Sequence, residues 1–214
     1  MQIKFFVFGL AVSLSVLIMS CRGNESDRSG TIVESSIDSE ILERKVQYIQ
    51  YNPFMRDSMS KPSPILYLLH GHGGDHLDWF QETEGNVASI LDSLIEAKLI
   101  PPVVAVSIDA GNSWYVDRHD KMETFYISEF IPEIERQIGG TLSRRILAGN
   151  SAGGYGSLRF VMKFPDLFDE VILLSPAAYN PLPPAISSSR KIDVFAEEGV
   201  FNDSIWKSYS YLHL

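Results

Sequence analysis

The residues able to do chemistry fall into three short stretches. Gly149-Asn150-Ser151-Ala152-Gly153 sets a serine between two glycines. A serine hydroxyl attacks an acyl carbon only when it is held exposed and a base removes its proton, so this spacing points to acyl transfer. His70-Gly71-His72-Gly73-Gly74-Asp75 combines imidazoles with small residues, the composition of a loop whose backbone N–H groups can face a substrate oxygen. Ile18-Met19-Ser20-Cys21 closes an apolar run and holds the single cysteine of the chain, which therefore cannot form an internal disulfide.

Each stretch needs elements to position it. Ile65 to Leu69 and Val103 to Ile108 are apolar on both faces, as central parallel strands are. Lys45 to Tyr51 alternates as a half-buried strand, and Arg145 to Ala148 and Val171 to Leu174 read as further strands. Helical spacing is found at Val87, Ile90, Leu91, Leu94 and Ile95, from Glu123 to Ile138 with Pro132 as a kink or restart, from Ala152 to Lys163, and from about Asn202 to Ser208. The expected fold class is α/β: a doubly wound, mostly parallel sheet with helices on both faces. The serine then lies at a strand–turn–helix bend, with the His-Gly loop directly after a buried strand.

This setting resembles the nucleophile elbow and oxyanion loop of α/β-hydrolases. The segments Pro64 to Gly74, Asp109-Ala110-Gly111-Asn112-Ser113-Trp114-Tyr115 and Gly149 to Gly154 are similar to those of the esterase family that includes esterase D, feruloyl esterases and bacterial mycolyltransferases. The resemblance implies Ser151 as nucleophile and the backbone N–H groups of Ala152 and His72 as the oxyanion hole. It also implies a Trp114-Tyr115 loop that shapes the acyl or alcohol subsite, against which stands the alternative of two aromatics packing a surface loop. The reaction would pass through an acyl-enzyme resolved by water or another alcohol, with no cofactor. His70 is expected to bond nearby backbone. A rival pattern, His70-x-His72-x-x-Asp75-His76, resembles a metal signature of metallo-β-lactamase-like hydrolases but is one residue too long, so no metal ligand is assigned.

The ends carry separate expectations. Residues 1–20 read as a signal peptide, and Cys21 as the lipidated residue of a bacterial lipobox. Residues 21–39, rich in Ser, Asp, Glu and Gly, are expected to be a flexible tether, and residues 40–214 the hydrolase domain. The expected address is the cell envelope, membrane-anchored through Cys21, on the outer membrane if the host is Gram-negative; the alternative is a plain secreted protein. The partner is a small-molecule or glycan ester. A net charge of −9 argues against a nucleic acid, whose affinity depends on clustered Lys and Arg. The length of 214 residues, 45% hydrophobic, suits one domain with a proper core.

The catalytic acid and histidine are not found. They should follow the strand ending at Leu174, each after a further strand, and the stretch to Leu214 is too short for two more strand–helix units. The sheet is thus expected to lack its last strands, with the C-terminal part of the domain truncated. His213 is the sole histidine downstream of Ser151, and Asp193, Glu197, Glu198 and Asp203 read as solvated or structural carboxylates. Beside ester hydrolysis stand two alternatives: an acyltransferase of the same fold, and a non-catalytic envelope lipoprotein that uses the scaffold for binding.

Overall fold

The computed structural model describes residues 29–54, 63–139 and 142–214. Six strands form one sheet in the order β1-β2-β4-β3-β5-β6: β1 (Thr31–Ser39), β2 (Arg44–Asn52), β3 (Ser63–Leu69), β4 (Val104–Ile108), β5 (Leu142–Asn150) and β6 (Glu170–Leu174). β4, β3, β5 and β6 run parallel, and β2 joins β4 antiparallel. The chain steps from β3 to β4 on one side and then crosses to β5 on the other. The C-terminal ends of β3, β4 and β5 therefore meet where the strand order reverses, the place at which open α/β sheets bind ligands.

Burial explains why β3 and β4 carry apolar residues on both faces. Ile65, Tyr67 and Leu69 face a core with Val104, Val106, Phe125, Phe130 and Phe160, while Leu68 and Ala105 face Leu91 and Phe80 on the opposite side. Helix α1 (Val87–Glu96) covers the second face. The first is covered by α2 (Met122–Phe125), a π-helical turn (Tyr126–Phe130), α3 (Ile131–Ile138) and α4 (Ala152–Lys163). The kink or restart expected at Pro132 is this π turn, which runs on into α3 with helical backbone throughout; the proline, which has no N–H, falls where the i→i−4 ladder is already interrupted.

The tether reading needs correction over residues 31–39. They form β1, paired with β2 residue for residue from Thr31 opposite Asn52 to Ser39 opposite Arg44. Composition misleads here because an edge strand is held by its backbone. Most β1 side chains stay in water, while Ile37 enters the core and Ser39 Oγ donates to Glu129 at 2.6 Å. The opposite edge is β6, whose Val171, Ile172 and Leu174 are 39%, 46% and 44% exposed. Cys21, the expected signal peptide and residues 21–28 of the expected tether lie outside the described residues. Among the described residues, no helix is long and apolar enough to cross a membrane.

After β6 the chain returns over α4. It forms a small ribbon of β7 (Ala196–Glu197) and β8 (Val200–Phe201), then α5 (Asp203–Ser208), whose N-terminus is capped by the Asn202 side chain. Phe195 and Trp206 pack on Tyr155 and Trp114 to make a third apolar cluster. The Tyr209 carbonyl accepts from Tyr155 Oη at 2.7 Å and from the Arg159 guanidinium. Arg159 also donates to Glu123 at 3.1 Å, both residues being 3% exposed, and Lys163 pairs with the same carboxylate. Removing one member of a buried ion pair strands the other, so Glu123→Ala should cost about 3–5 kcal/mol. Urea unfolding checks this; a loss below about 1 kcal/mol would place the pair in the class of exposed bridges.

Candidate active site

Ser151 sits between β5 and α4 with φ 54° and ψ −110°, a left-handed conformation that a residue with a side chain rarely adopts. The bend is fixed from several sides. Ser151 N–H donates to the Leu174 carbonyl at the end of β6 (3.0 Å), and the Ser151 carbonyl accepts from Tyr155 N–H and Ala177 N–H at 3.0 and 2.9 Å. The flanking glycines are required by contact. A β-carbon on Gly153 would overlap the Leu69 carbonyl at the end of β3, and one on Gly149 would overlap the Gly153 carbonyl and Ser157 Oγ. Helix α4 thus begins hard against β3, with Ala152 as its first residue. The first N–H groups of a helix have no intrahelical acceptor and carry partial positive charge, which suits them to a developing oxyanion.

The His-Gly loop leaves β3 beside this bend. Any β-carbon placed on Gly71 would lie 3.7 Å from Ser151 Cβ, so the loop backbone passes alongside the nucleophile candidate. His72, the next residue, is exposed, and Gly73 turns the chain at φ 78°. Gly74 N–H closes the turn on the Gly71 carbonyl at 3.3 Å. Ser151, Ala152 and His72, singled out from the sequence, are therefore brought together at one sheet edge.

His70, expected to bond backbone, does so with both ring nitrogens. Nδ1–H donates to the Gly71 carbonyl at 2.8 Å, and Nε2 accepts from Ala110 N–H at 3.0 Å. That pattern is satisfied only by the neutral imidazole. Burial pushes its pKa below the ordinary value of 6.5, outweighing the Gly71 hydrogen bond and the Asp78, Asp109 and Asp75 carboxylates that pull upward. The other imidazoles diverge: His76 Nε2 meets Glu34 on β1 at 3.1 Å, and His119 Nε2 donates to the Asp193 carbonyl at 3.1 Å.

Trp114 and Tyr115 are placed differently from the expectation of a subsite. They are 2% and 1% exposed, so their side chains are committed to packing. Trp114 meets Tyr155, Phe195 and Trp206 edge-on, shares their apolar cluster with Ala152, and lies 6.3 Å from the His72 ring. The reason is the C-terminal stretch, whose aromatics close over the loop. A separate open groove of about 480 Å³, lined by Asp38, Glu129, Glu133 and Arg136 among others, lies between β1 and α3 and includes none of the residues around Ser151.

No imidazole is hydrogen-bonded to Ser151 among the described residues. His213 is exposed near the chain end, its backbone N–H on the Ser210 carbonyl. Asp193, Glu197, Glu198 and Asp203 lie in or beside the ribbon and α5, where Glu197 accepts from Asn202 and Asp203 opens α5. The sequence reading missed Asn112, an exposed side chain whose Oδ1 accepts from Gly73 N–H at 2.9 Å. Only the adjacency of its loop to the His-Gly turn reveals it.

A parallel sheet that delivers a serine at a strained strand-to-helix bend beside a glycine-rich loop is an α/β-hydrolase fold. The family model described as "Putative esterase" matches residues 39–210, and the chain belongs to that family. It is 33% identical over 130 residues to an acetyl esterase of Caldicellulosiruptor saccharolyticus, covering 58% of this chain and 45% of that protein. It is 29% identical over 126 residues to an endo-1,4-beta-xylanase/feruloyl esterase of Xylanibacter ruminicola, covering 55% of this chain and 17% of that one. The chain spans less than half the length of either relative. Among solved structures, a ferulic acid esterase superposes with a TM-score of 0.64 at 26% identity, covering 72% of this chain and 63% of the other. A fluorophosphonate-binding serine hydrolase of Staphylococcus aureus, at 18% identity and a TM-score of 0.58, covers 87% of this chain and 67% of its own, and shares the fold.

Two outcomes are expected from this geometry. Gly153→Ala should lose about 1–3 kcal/mol, because the added methyl must push α4 off the end of β3; thermal unfolding checks it. For His70 the sign follows from its lowered pKa: as pH falls below 6.5 the unfolded chain takes up the proton before the folded one does. The His70 contribution to stability is then fully present above that value and declines below it. Between about pH 7 and pH 5 the urea midpoint should therefore fall, and fall less steeply in His70→Asn; equal slopes would refute a neutral buried imidazole.

Proposed function

We propose that the protein is a serine carboxylic ester hydrolase acting on esters of small molecules or glycans at the cell envelope. The observation that carries this reading is the strained Ser151 bend with the Gly71–Gly74 turn alongside it. Ser151 Oγ attacks the ester carbonyl and the negative charge developing on its oxygen is met by the N–H groups of Ala152 and His72. The alcohol leaves with a proton, and water then resolves the acyl-enzyme to release the acid and free Ser151. The acetyl esterase and feruloyl esterase relatives support short acyl or hydroxycinnamoyl groups carried on carbohydrate as the substrate class. Anchoring through lipid on Cys21 belongs to the same proposal and accounts for the envelope address.

One observation favours a second reading, a binding scaffold without turnover: among the described residues no histidine ring is hydrogen-bonded to Ser151. An acyltransferase would share the acyl-enzyme and differ in the acceptor. Hydrolysis of p-nitrophenyl acetate, with Ser151→Ala as control, separates these readings. Turnover that falls at least about 10³-fold in Ser151→Ala supports the esterase. Equal slow rates in both proteins, together with no labelling of Ser151 by a fluorophosphonate, would leave the scaffold. Product partitioning to an added alcohol would mark the transferase.

A further inference from the structure

The loop after β4 is built at a conformational cost. Trp114 and Tyr115 are consecutive, bulky, and both in the left-handed region, at φ 53° and 58°. Each such residue costs on the order of 1–3 kcal/mol and persists only where its surroundings over-determine it. The loop is also pinned internally: Asp109 Oδ1 accepts from Gly111 N–H at 2.9 Å, and Ser113 Oγ from Tyr115 N–H at 3.1 Å.

What this strained turn achieves is visible in the bonds that leave it. Ala110 N–H donates to His70 Nε2 (3.0 Å), and Tyr115 Oη donates to the His70 carbonyl (3.2 Å). Asn112 Oδ1 accepts from Gly73 N–H (2.9 Å). The His-Gly loop is thus gripped at residue 70 on one side and residue 73 on the other. Between these grips lies Gly71-His72, the stretch that passes Ser151, where the Gly71 carbonyl accepts from His70 Nδ1–H and from Gly74 N–H. Ring contacts follow the same plan, His70 on Tyr115 at 5.9 Å and His72 on Trp114 at 6.3 Å.

We propose that the 109–115 loop is a clamp that aims the His72 N–H at the Ser151 site, with Asn112 and His70 as its positioning residues. The inference rests on the esterase reading for its purpose, since a donor contributes to an oxyanion hole only when held at hydrogen-bond distance from where the oxygen will form. Asn112 is the discriminating position. Its side chain is exposed, so its removal leaves the core untouched, and its one bond from the side chain goes to the loop.

The test uses the full chain and two readouts. Amide exchange by NMR follows Gly73 and His72. Phenylboronic acid, which bonds to a serine Oγ as a tetrahedral anion while the hydroxyl proton leaves to solvent, reports the oxyanion hole. Asn112→Ala should speed exchange at Gly73 and weaken boronate binding, each about 10-fold, with an unchanged melting temperature. Asn112→Asp keeps the acceptor and should restore Gly73 protection. Unchanged exchange at both amides in Asn112→Ala overturns the proposal, whatever the boronate does. So does faster exchange with unchanged boronate affinity, where that affinity depends on Ser151. If the unaltered protein binds no boronate, or Ser151→Ala binds it equally well, the esterase reading fails and the exchange data judge the clamp alone.

Discussion

Between Gly149 and Gly153 the chain leaves a strand and enters a helix within a single bend, so tight that a β-carbon on Gly149 would meet the Gly153 carbonyl and one on Gly153 the Leu69 carbonyl at the end of β3. This close approach organises the rest. Ser151 takes positive φ there, the first turn of α4 lies against the Leu69 carbonyl, and the loop after β3 passes alongside the serine. The sheet order places the ends of β3, β4 and β5 together, so one steric constraint on one bend determines which three loops share the site.

Polar groups around the bend are tied to backbone or to one another. His70 is kept neutral and bridges two loops through backbone partners. Below the sheet, Glu123 is buried with Arg159 and Lys163, and through Arg159 the network reaches the Tyr209 carbonyl. That link fastens the C-terminal stretch over α4 and, with Trp206 and Phe195, seals Trp114 away from water. The region that closes the site from one side is therefore held by the helix that begins at the nucleophile candidate.

Family membership and the geometry of the bend both support the esterase proposal, and they differ in how far each reaches. The matched relatives extend well past the aligned region, so their substrates inform a proposal about this chain. What the chain itself supplies is a bent serine, a glycine-rich turn beside it and a second loop that grips that turn at two points. A base for Ser151 is not among the described residues bonded to it, which is why hydrolysis and a binding scaffold are separated by turnover.

Much of the fold was legible in the sequence, because periodicity and burial are local. Runs apolar on both faces identified β3 and β4 as central, the glycines around Ser151 gave away the bend, and Pro132 gave the helix restart. β1 was not legible, since a polar edge strand is stabilised by a partner's backbone rather than by its own side chains. Trp114 and Tyr115 could be found as an aromatic pair but not placed, for their burial depends on Phe195 and Trp206, which lie far along the chain. Asn112 carries no signal in isolation; its role exists only because the fold sets its carboxamide on the Gly73 amide. Sequence determined the serine, its glycines and the strands that carry them, as each follows from steric or hydrophobic demands within a few residues. Tertiary structure alone decided which loops grip one another, because those hydrogen bonds join positions that only the crossed strand order brings within reach.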